Sequence, residues 1–239
     1  MKNLVLLLCL VLFSTNGFSQ LDEQFFTNPV EGFSKKKTAY ITLTNGDELQ
    51  GTIKKLKRTK GLFDEIRLTL ENGKLEKIDA ADIKFMYLPQ SNWDKIVDGA
   101  DFVGNARRWT TDLNEEHLKD GYAYFEQTKV NYRKKKVENL LLQLLNPSFT
   151  NVLKVYHDPL AAETMSVGLA GVALVGGDDK SYFVKKGDAV AYRLKKKNMS
   201  DYEAQIFDDC ADAYKEIVED KLYWGVFAKL LYEYSLACE

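Results

Sequence analysis

The chain has 239 residues, a formal net charge of −2 at pH 7 and 45% hydrophobic residues. Its four prolines and 12% aromatic content exclude a disordered chain, because disordered segments lack the apolar residues needed for a core. The slightly negative charge also argues against a nucleic-acid-binding protein, which presents a basic surface. We therefore expect a folded protein of one or two domains.

Residues 1–19 have the layout of a secretory signal peptide. The basic residue Lys2 precedes a ten-residue apolar run from Leu4 to Phe13, and small polar residues follow. A membrane-spanning helix needs about 20 apolar residues, so we predict cleavage before Gln20; an uncleaved interfacial helix is the alternative. The mature protein is then exported, periplasmic or secreted, without a transmembrane anchor.

After a lead-in segment at 20–37, residues 38–90 alternate apolar and polar side chains. Two Asn-Gly pairs, at 45–46 and 72–73, are strong hairpin signals. The pattern predicts five short strands, with one helical turn before the last. Because closure removes exposed sheet edges, we expect a small SH3-like or Sm-like barrel. The side chains expected to point inward are Ile41, Leu43, Ile53, Ile66, Leu68, Ile83 and Phe85.

The basic run from Lys54 to Arg58 allows two interpretations. Some barrels of this shape bind RNA, and the lysines can contact phosphates. Nucleic-acid binders, however, combine a basic excess with aromatic residues placed for base stacking. In an acidic, exported protein the run is better explained as a solvated strand end that resists aggregation.

Residues 91–198 predict a second antiparallel sheet. Alternating residues mark strands at 122–132 and 152–156, and a buried apolar run marks one at 139–145. A hairpin is expected at 181–194 and a helical turn at 114–118. Between them lies the glycine-rich stretch 166–177, which lacks the spacing of a dinucleotide-binding loop or a P-loop. It is either a weak strand or mobile loop, or a lid over an apolar pocket.

Residues 199–239 have helical periodicity. Ser200 and Glu203 are spaced as a capping box that opens a first helix. Cys210 begins the apolar face of a second helix, and Cys238 ends that of a third. If the chain folds back near 220–224, a helical hairpin brings the two cysteines to the same end.

Cys210 and Cys238 are the only cysteines that remain after signal cleavage. Because export places them in an oxidising compartment, we predict a disulfide. Closing a loop of this length stabilises the protein by about 3–4 kcal/mol in the chain-entropy model. Two separate buried thiols are the alternative, and no histidine lies near either cysteine in sequence to activate a catalytic thiol.

Several motifs occur together in a particular order. They are Tyr40-Ile-Thr-Leu-Thr-Asn-Gly-Asp-Glu-Leu-Gln-Gly-Thr-Ile53, Val155-Tyr156-His-Asp-Pro159, Lys180-Ser-Tyr-Phe-Val-Lys-Lys-Gly187, Phe207-Asp-Asp-Cys210 and the terminal Cys238. With the signal peptide, this arrangement resembles a group of exported proteins of Bacteroidetes bacteria that have no assigned activity. The resemblance implies export and disulfide pairing, and carries over no catalytic residue.

The sequence predicts no catalytic, cofactor-binding or metal site. The two histidines, His117 and His157, have no cysteine or carboxylate at ligand spacing. No serine-hydrolase or β-lactamase motif is present. Two carboxylate pairs, Asp98 with Asp101 and Asp208 with Asp209, can share acid and base work only if their separation in space is suitable.

Three functional hypotheses follow from the sequence. The first is a non-catalytic exported module that contacts another envelope protein. The second is a carrier of a small apolar ligand with residues 166–177 as its lid, which requires a cavity of roughly 300 Å³ or more. The third is a hydrolase whose carboxylates meet only in the folded chain.

Overall fold

The computed structural model describes residues 25–91, 112–133, 136–161, 181–218 and 222–238. The fold is α+β and mainly β, with a seven-stranded antiparallel sheet, a three-stranded sheet and C-terminal helices. This confirms the predicted fold class. The predicted signal peptide and the glycine-rich stretch 166–177 lie outside the described residues.

The seven-stranded sheet, here called the large sheet, has the strand order β4-β3-β2-β1-β5-β6-β7. Its strands are β1 (Thr38–Leu43), β2 (Glu48–Thr59), β3 (Leu62–Leu70), β4 (Leu75–Asp79), β5 (Ile83–Pro89), β6 (Tyr122–Arg133) and β7 (Lys136–Gln143). The small sheet has the order β10-β9-β8. Its strands are β8 (Lys154–His157), β9 (Ser181–Lys185) and β10 (Tyr192–Lys195).

Within the described residues, four short α-helices accompany the sheets. They are α1 (Glu115–Lys119), α2 (Met199–Ile206), α3 (Ala211–Ile217) and α4 (Phe227–Ala237). Single 3₁₀ turns occur at Ala80–Asp82, Lys196–Asn198 and Trp224–Val226. None of these described helices is long and apolar enough to cross a membrane.

The predicted hairpins are present, but the closed barrel is wrong. The two Asn-Gly pairs form the β1–β2 and β3–β4 turns. Instead of closing against β4, β5 pairs along its other edge with β6, which in turn pairs with β7. No closed barrel is found among the described residues. Pairing with β6 satisfies the backbone edge of β5, so this edge cannot close against β4, which remains an edge strand.

The same pairing corrects the composition of the second sheet. The strands predicted at 122–132 and 139–145 correspond to β6 and β7, which belong to the large sheet. Among the described strands, the small sheet consists of β8, β9 and β10. An antiparallel bridge between Leu144 and Tyr156 and a parallel bridge between Val130 and Ala191 connect the two sheets.

The inner face of the large sheet carries an aliphatic core. Its fully buried members include Ile41, Ile53, Ile66, Leu68 and Ile83, as predicted. Leu43 is partly buried against the same core. Each apolar residue of this size stabilises the fold by about 1.5–3 kcal/mol on burial.

Phe85 does not point inward, which is a further correction. The β1–β5 register shifts between Thr42 and Leu43, so that Thr42 pairs with Phe85 whereas Leu43 pairs with Ile83. This bulge inserts Lys84 as an extra residue and reverses the alternation that follows. Met86 therefore enters the inner core, and Phe85 faces the opposite, outer face.

The small sheet and the C-terminal helices share a second core. Phe26 of the lead-in segment packs in it with Val184 of β9, Ile206 of α2 and Phe227 of α4. The lead-in segment also hydrogen bonds to the large sheet, because the buried Gln143 carboxamide accepts from Val30 N–H at 2.8 Å. Residues 25–33 therefore join both cores.

The predicted capping box at the start of the first helix is absent. α2 begins at Met199, so Ser200 lies inside the helix, and the N-cap residue Asn198 makes no capping side-chain bond. The Asn198 side chain instead accepts from Lys195 N–H at 2.7 Å. Glu203 accepts from the hydroxyl of Tyr214 at 2.6 Å, which connects α2 to α3.

Candidate functional site

A row of tyrosines crosses the outer face of the large sheet. Tyr40 of β1 lies opposite Tyr87 of β5, and Tyr87 lies opposite Tyr124 of β6. The Tyr87 and Tyr124 ring centroids are 5.0 Å apart. The two inner members of the row are buried, whereas Tyr40 is half-buried at its end.

Three half-buried rings form a surface at this end, which we call the aromatic platform: Tyr40, His117 and Tyr122. The imidazole of His117 stacks on Tyr40 with 4.2 Å between ring centroids, and lies 5.3 Å from the ring of Tyr122. Beneath them, Tyr87 is 5.1 Å from His117. Contacts of this kind add about 0.5–1.5 kcal/mol per pair to the area that they bury.

Asn114 holds His117 in place. Its side chain caps α1 by accepting from His117 N–H at 3.1 Å, and its own N–H donates to the hydroxyl of Tyr87 at 2.9 Å. The predicted helical turn at 114–118 is therefore present, and it is fixed to the sheet below. Burial, together with nearby Tyr40 and Asp120, raises the pKa of Tyr122 above its ordinary value, so this phenol stays neutral at physiological pH.

Further along the outer face, Glu126 of β6 joins the large sheet to the small sheet. Lys154 Nζ of β8 lies 2.8 and 3.1 Å from its two carboxylate oxygens. The hydroxyl of Tyr156, also on β8, donates to Oε1, and the hydroxyl of Tyr124 donates to Oε2 at 3.2 Å. Burial raises the pKa of both tyrosines far above the ordinary value, so both remain donors. These donors engage both carboxylate oxygens.

A second buried carboxylate stabilises the small sheet. Asp158 is 1% exposed. Its Oδ2 lies 2.8 Å from Arg193 Nε and accepts from the Ser181 hydroxyl at 2.7 Å, and its Oδ1 accepts from Leu160 N–H at 3.1 Å. The guanidinium of Arg193 lies 4.9 Å from the ring of Phe183. A buried charge that is paired and hydrogen bonded in this way is structural, because removal of either partner leaves the other unpaired.

A narrow opening, which we call the seam cleft, lies between the β2–β3 turn, β7 and the end of β8. Its polar lining residues are Glu31, Arg58, Gln143 and His157, and its volume is about 20 Å³. A Cβ on Gly61, whose φ is +79°, would lie 2.6 Å from Pro159 Cβ, so the turn packs directly against the far wall. The cleft has room for one water-sized group.

Two basic side chains meet in the seam cleft. Arg58 Nη1 lies 3.0 Å from Glu31 Oε2. Burial lowers the pKa of Arg58 despite that partner. Burial and the charge of Arg58 also lower the pKa of His157 to about 4. The imidazole is therefore neutral at physiological pH.

The structure brings Cys210 and Cys238 to disulfide distance, with their Cα atoms 5.9 Å apart. Cys210 immediately precedes α3 and Cys238 immediately follows α4, as the helical spacing predicted. Cys210 N–H also donates to the hydroxyl of Tyr234 of α4 at 2.8 Å. The pair is consistent with an oxidising compartment.

The other sequence candidates do not converge on one site. His117 lies in the aromatic platform and His157 in the seam cleft. Asp208 and Asp209 both pair with Lys186. Asp98 and Asp101 lie outside the described residues. Within the part of the chain that the structure describes, no group of three or more histidine, cysteine or acidic side chains could hold a metal ion.

Sequence reasoning missed Tyr40, Tyr122 and Glu126 as a set. One signal was available, because Tyr122, Tyr124 and Glu126 occupy alternate positions of one strand and must share a face. The sequence did not show that β5 and β1 place further tyrosines beside them.

No protein-family model, curated protein or solved structure matches the chain. The functional conclusions therefore rest on the sequence and the geometry above.

Proposed function

We propose that this protein is a non-catalytic exported interaction module that binds another envelope protein through the aromatic platform. The observation that carries the proposal is the rigid stack of Tyr40, His117 and Tyr122 at the surface. Tyrosine is enriched in the residues that dominate protein–protein binding energy. A preassembled stack also loses little conformational entropy when a partner binds.

Two engaged carboxylates, one partly buried and one buried, support this proposal over the hydrolase hypothesis. Glu126 and Asp158 are engaged by lysine, arginine and hydroxyl partners. A carboxylate held by these donors stabilises the contact between strands, whereas a general base needs an accessible lone pair directed at substrate. The seam cleft, at about 20 Å³, is itself too small to hold the ligand of the carrier hypothesis, whose proposed lid at 166–177 lies outside the described residues.

The test is quantitative capture of envelope proteins by the exported chain after crosslinking in intact cells. The parent is compared with the double variant Tyr40→Ala/Tyr122→Ala, which removes both platform tyrosines. We expect the specifically captured protein to be lost from the double variant, because removing a dominant interface aromatic costs at least about 2 kcal/mol, or roughly thirtyfold in affinity.

Tyr223→Ala is the matched control. Tyr223 is 59% exposed but precedes the 3₁₀ turn at Trp224–Val226 and lies outside the platform. The Tyr223→Ala variant should capture the same protein as the parent. Equal capture by all three chains would contradict the proposal, provided that circular dichroism shows the double variant to be folded.

A further inference from the structure

The seam cleft contains a cation whose hydrogen-bonding capacity is incompletely used. The Arg58 side chain is 20% exposed, and its guanidinium carbon lies 4.4 Å from the ring centroid of Phe63 and 5.1 Å from that of Phe33. Its buried Nε has no hydrogen-bond partner among the described residues. A buried donor on a charged group costs free energy when it is unsatisfied. Because this Nε is inaccessible to solvent, a ligand in the cleft would bind at the terminal guanidinium nitrogens, where Nη1 lies 3.0 Å from Glu31 Oε2.

A second donor lines the same opening. His157 enters from the end of β8, and its neutral imidazole carries one N–H. The charged or titratable side chains that line the cleft with it are Arg58 and Glu31. The cleft therefore offers a guanidinium and an imidazole donor, with one carboxylate as the opposing group.

Glu31 is a weak competitor for Arg58. Its side chain is 79% exposed, and its contact with Arg58 Nη1 is 3.0 Å long. An ion pair with one partner this exposed contributes little to stability, because water screens the charges and the long side chains lose conformational entropy. An anion that enters the cleft can therefore replace Glu31.

We propose that Arg58 and His157 form a binding site for one small monovalent anion, a chloride ion or the carboxylate tip of a larger molecule. The cavity volume of about 20 Å³ limits the bound group to roughly the size of one water molecule. Glu31 occupies the rim and reduces the affinity. The site is independent of the aromatic platform and of its partner.

The test is NMR of the two histidines during anion titration of the purified protein at pH 5. The chain contains only His117 and His157, so His117 is an internal reference outside the cleft. Chloride and acetate are the two probes, and a bulky sulfonate keeps ionic strength constant. We expect a saturable shift of the His157 resonances with at least one probe, together with a higher His157 pKa, and no saturable shift of His117.

Glu31→Gln is the most informative variant because Glu31 is exposed and its replacement leaves the core intact. Removal of the competing carboxylate should tighten anion binding roughly twofold to fivefold. Glu116→Gln makes the same charge change on α1, outside the cleft lining, and should leave the affinity unchanged. Arg58→Gln, if folded, should abolish the saturable response.

A response to acetate but not chloride would assign the site to carboxylate groups, and the reverse result would assign it to halide-sized ions. The absence of a saturable His157 shift with both probes would overturn the proposal. So would an equal response of the two histidines, or a Glu31→Gln affinity equal to that of the parent.

Discussion

The two faces of the large sheet are built by different interactions. The inner face is mainly aliphatic and packs residues such as Ile66 and Leu68, with Phe63 and Phe125 in edge-to-face contact at 5.2 Å between ring centroids. The outer face carries tyrosines and Glu126, which contact α1 and the small sheet through stacked rings, hydrogen bonds and an ion pair. We infer that the inner face supplies most of the stability, whereas the outer face determines how α1 and the small sheet pack against the large sheet.

The largest effect is expected from a charge on the inner face. Ile66→Asp should lower the free energy of unfolding by at least about 4 kcal/mol, because Ile66 is 0% exposed and the carboxylate would have no partner. Leu75→Asp, on the edge strand β4 and at a side chain 53% exposed, should change it by less than about 0.5 kcal/mol. Urea denaturation measures both. Equal stabilities would show that the strand register is wrong.

The C-terminal helices are held by a covalent link in addition to their packing against the small sheet. The Cys210–Cys238 separation of 28 residues predicts that Cys238→Ser costs about 3–4 kcal/mol. Hydrogen exchange should show faster opening of α3 and α4 than of the inner strands. Thiol titration of the purified, denatured parent without reductant provides the direct check, and two reactive thiols would refute the bond.

A smaller effect is expected on the outer face. Tyr156→Phe removes one hydroxyl donor to Glu126. Because water reaches this carboxylate poorly and cannot replace the lost hydrogen bond, the free energy of unfolding should fall by about 2 kcal/mol. Tyr40→Phe, at the half-buried end of the row, should have an effect below about 0.5 kcal/mol. A double-mutant cycle with Glu126→Gln isolates the contact. A coupling energy of zero would show that the tyrosine does not stabilise Glu126.

The pH dependence of stability should identify His157. Its pKa is about 4 in the folded chain and about 6.5 when unfolded, so the unfolded state binds more protons between these values. Stability therefore falls as pH decreases from about 6.5 to 4, by about 1–2 kcal/mol after allowance for partial exposure. His157→Gln should flatten this part of the curve. An unchanged slope in His157→Gln would contradict the assignment.

The inner face was largely predictable from sequence. Alternating residues around Ile41 and Ile66, together with two Asn-Gly turns, define strands and their buried side without knowledge of distant residues. The same holds for the helical spacing that placed Cys210 and Cys238 at one end of their helices. Local periodicity was sufficient in these regions because each element buries a single stripe.

The outer face was not predictable in this way. It depends on pairing between β5 and β6, which places Tyr87 beside Tyr124, and on a bulge at Lys84 that turns Phe85 outward. Neither the strand pairing nor the bulge can be recognised from the alternation of apolar and polar residues in one sequence. The seam cleft combines Arg58 and His157, which are far apart in the chain, so only the folded structure shows it.

The most direct test of the aromatic platform as the interaction surface is calorimetry. It measures the affinity of the captured envelope protein for the parent and for Tyr40→Ala/Tyr122→Ala. The affinity of the double variant should fall at least about thirtyfold, while its inner strands keep the hydrogen-exchange protection of the parent. An unchanged affinity in a folded double variant would contradict the assignment of the aromatic platform as the interaction surface.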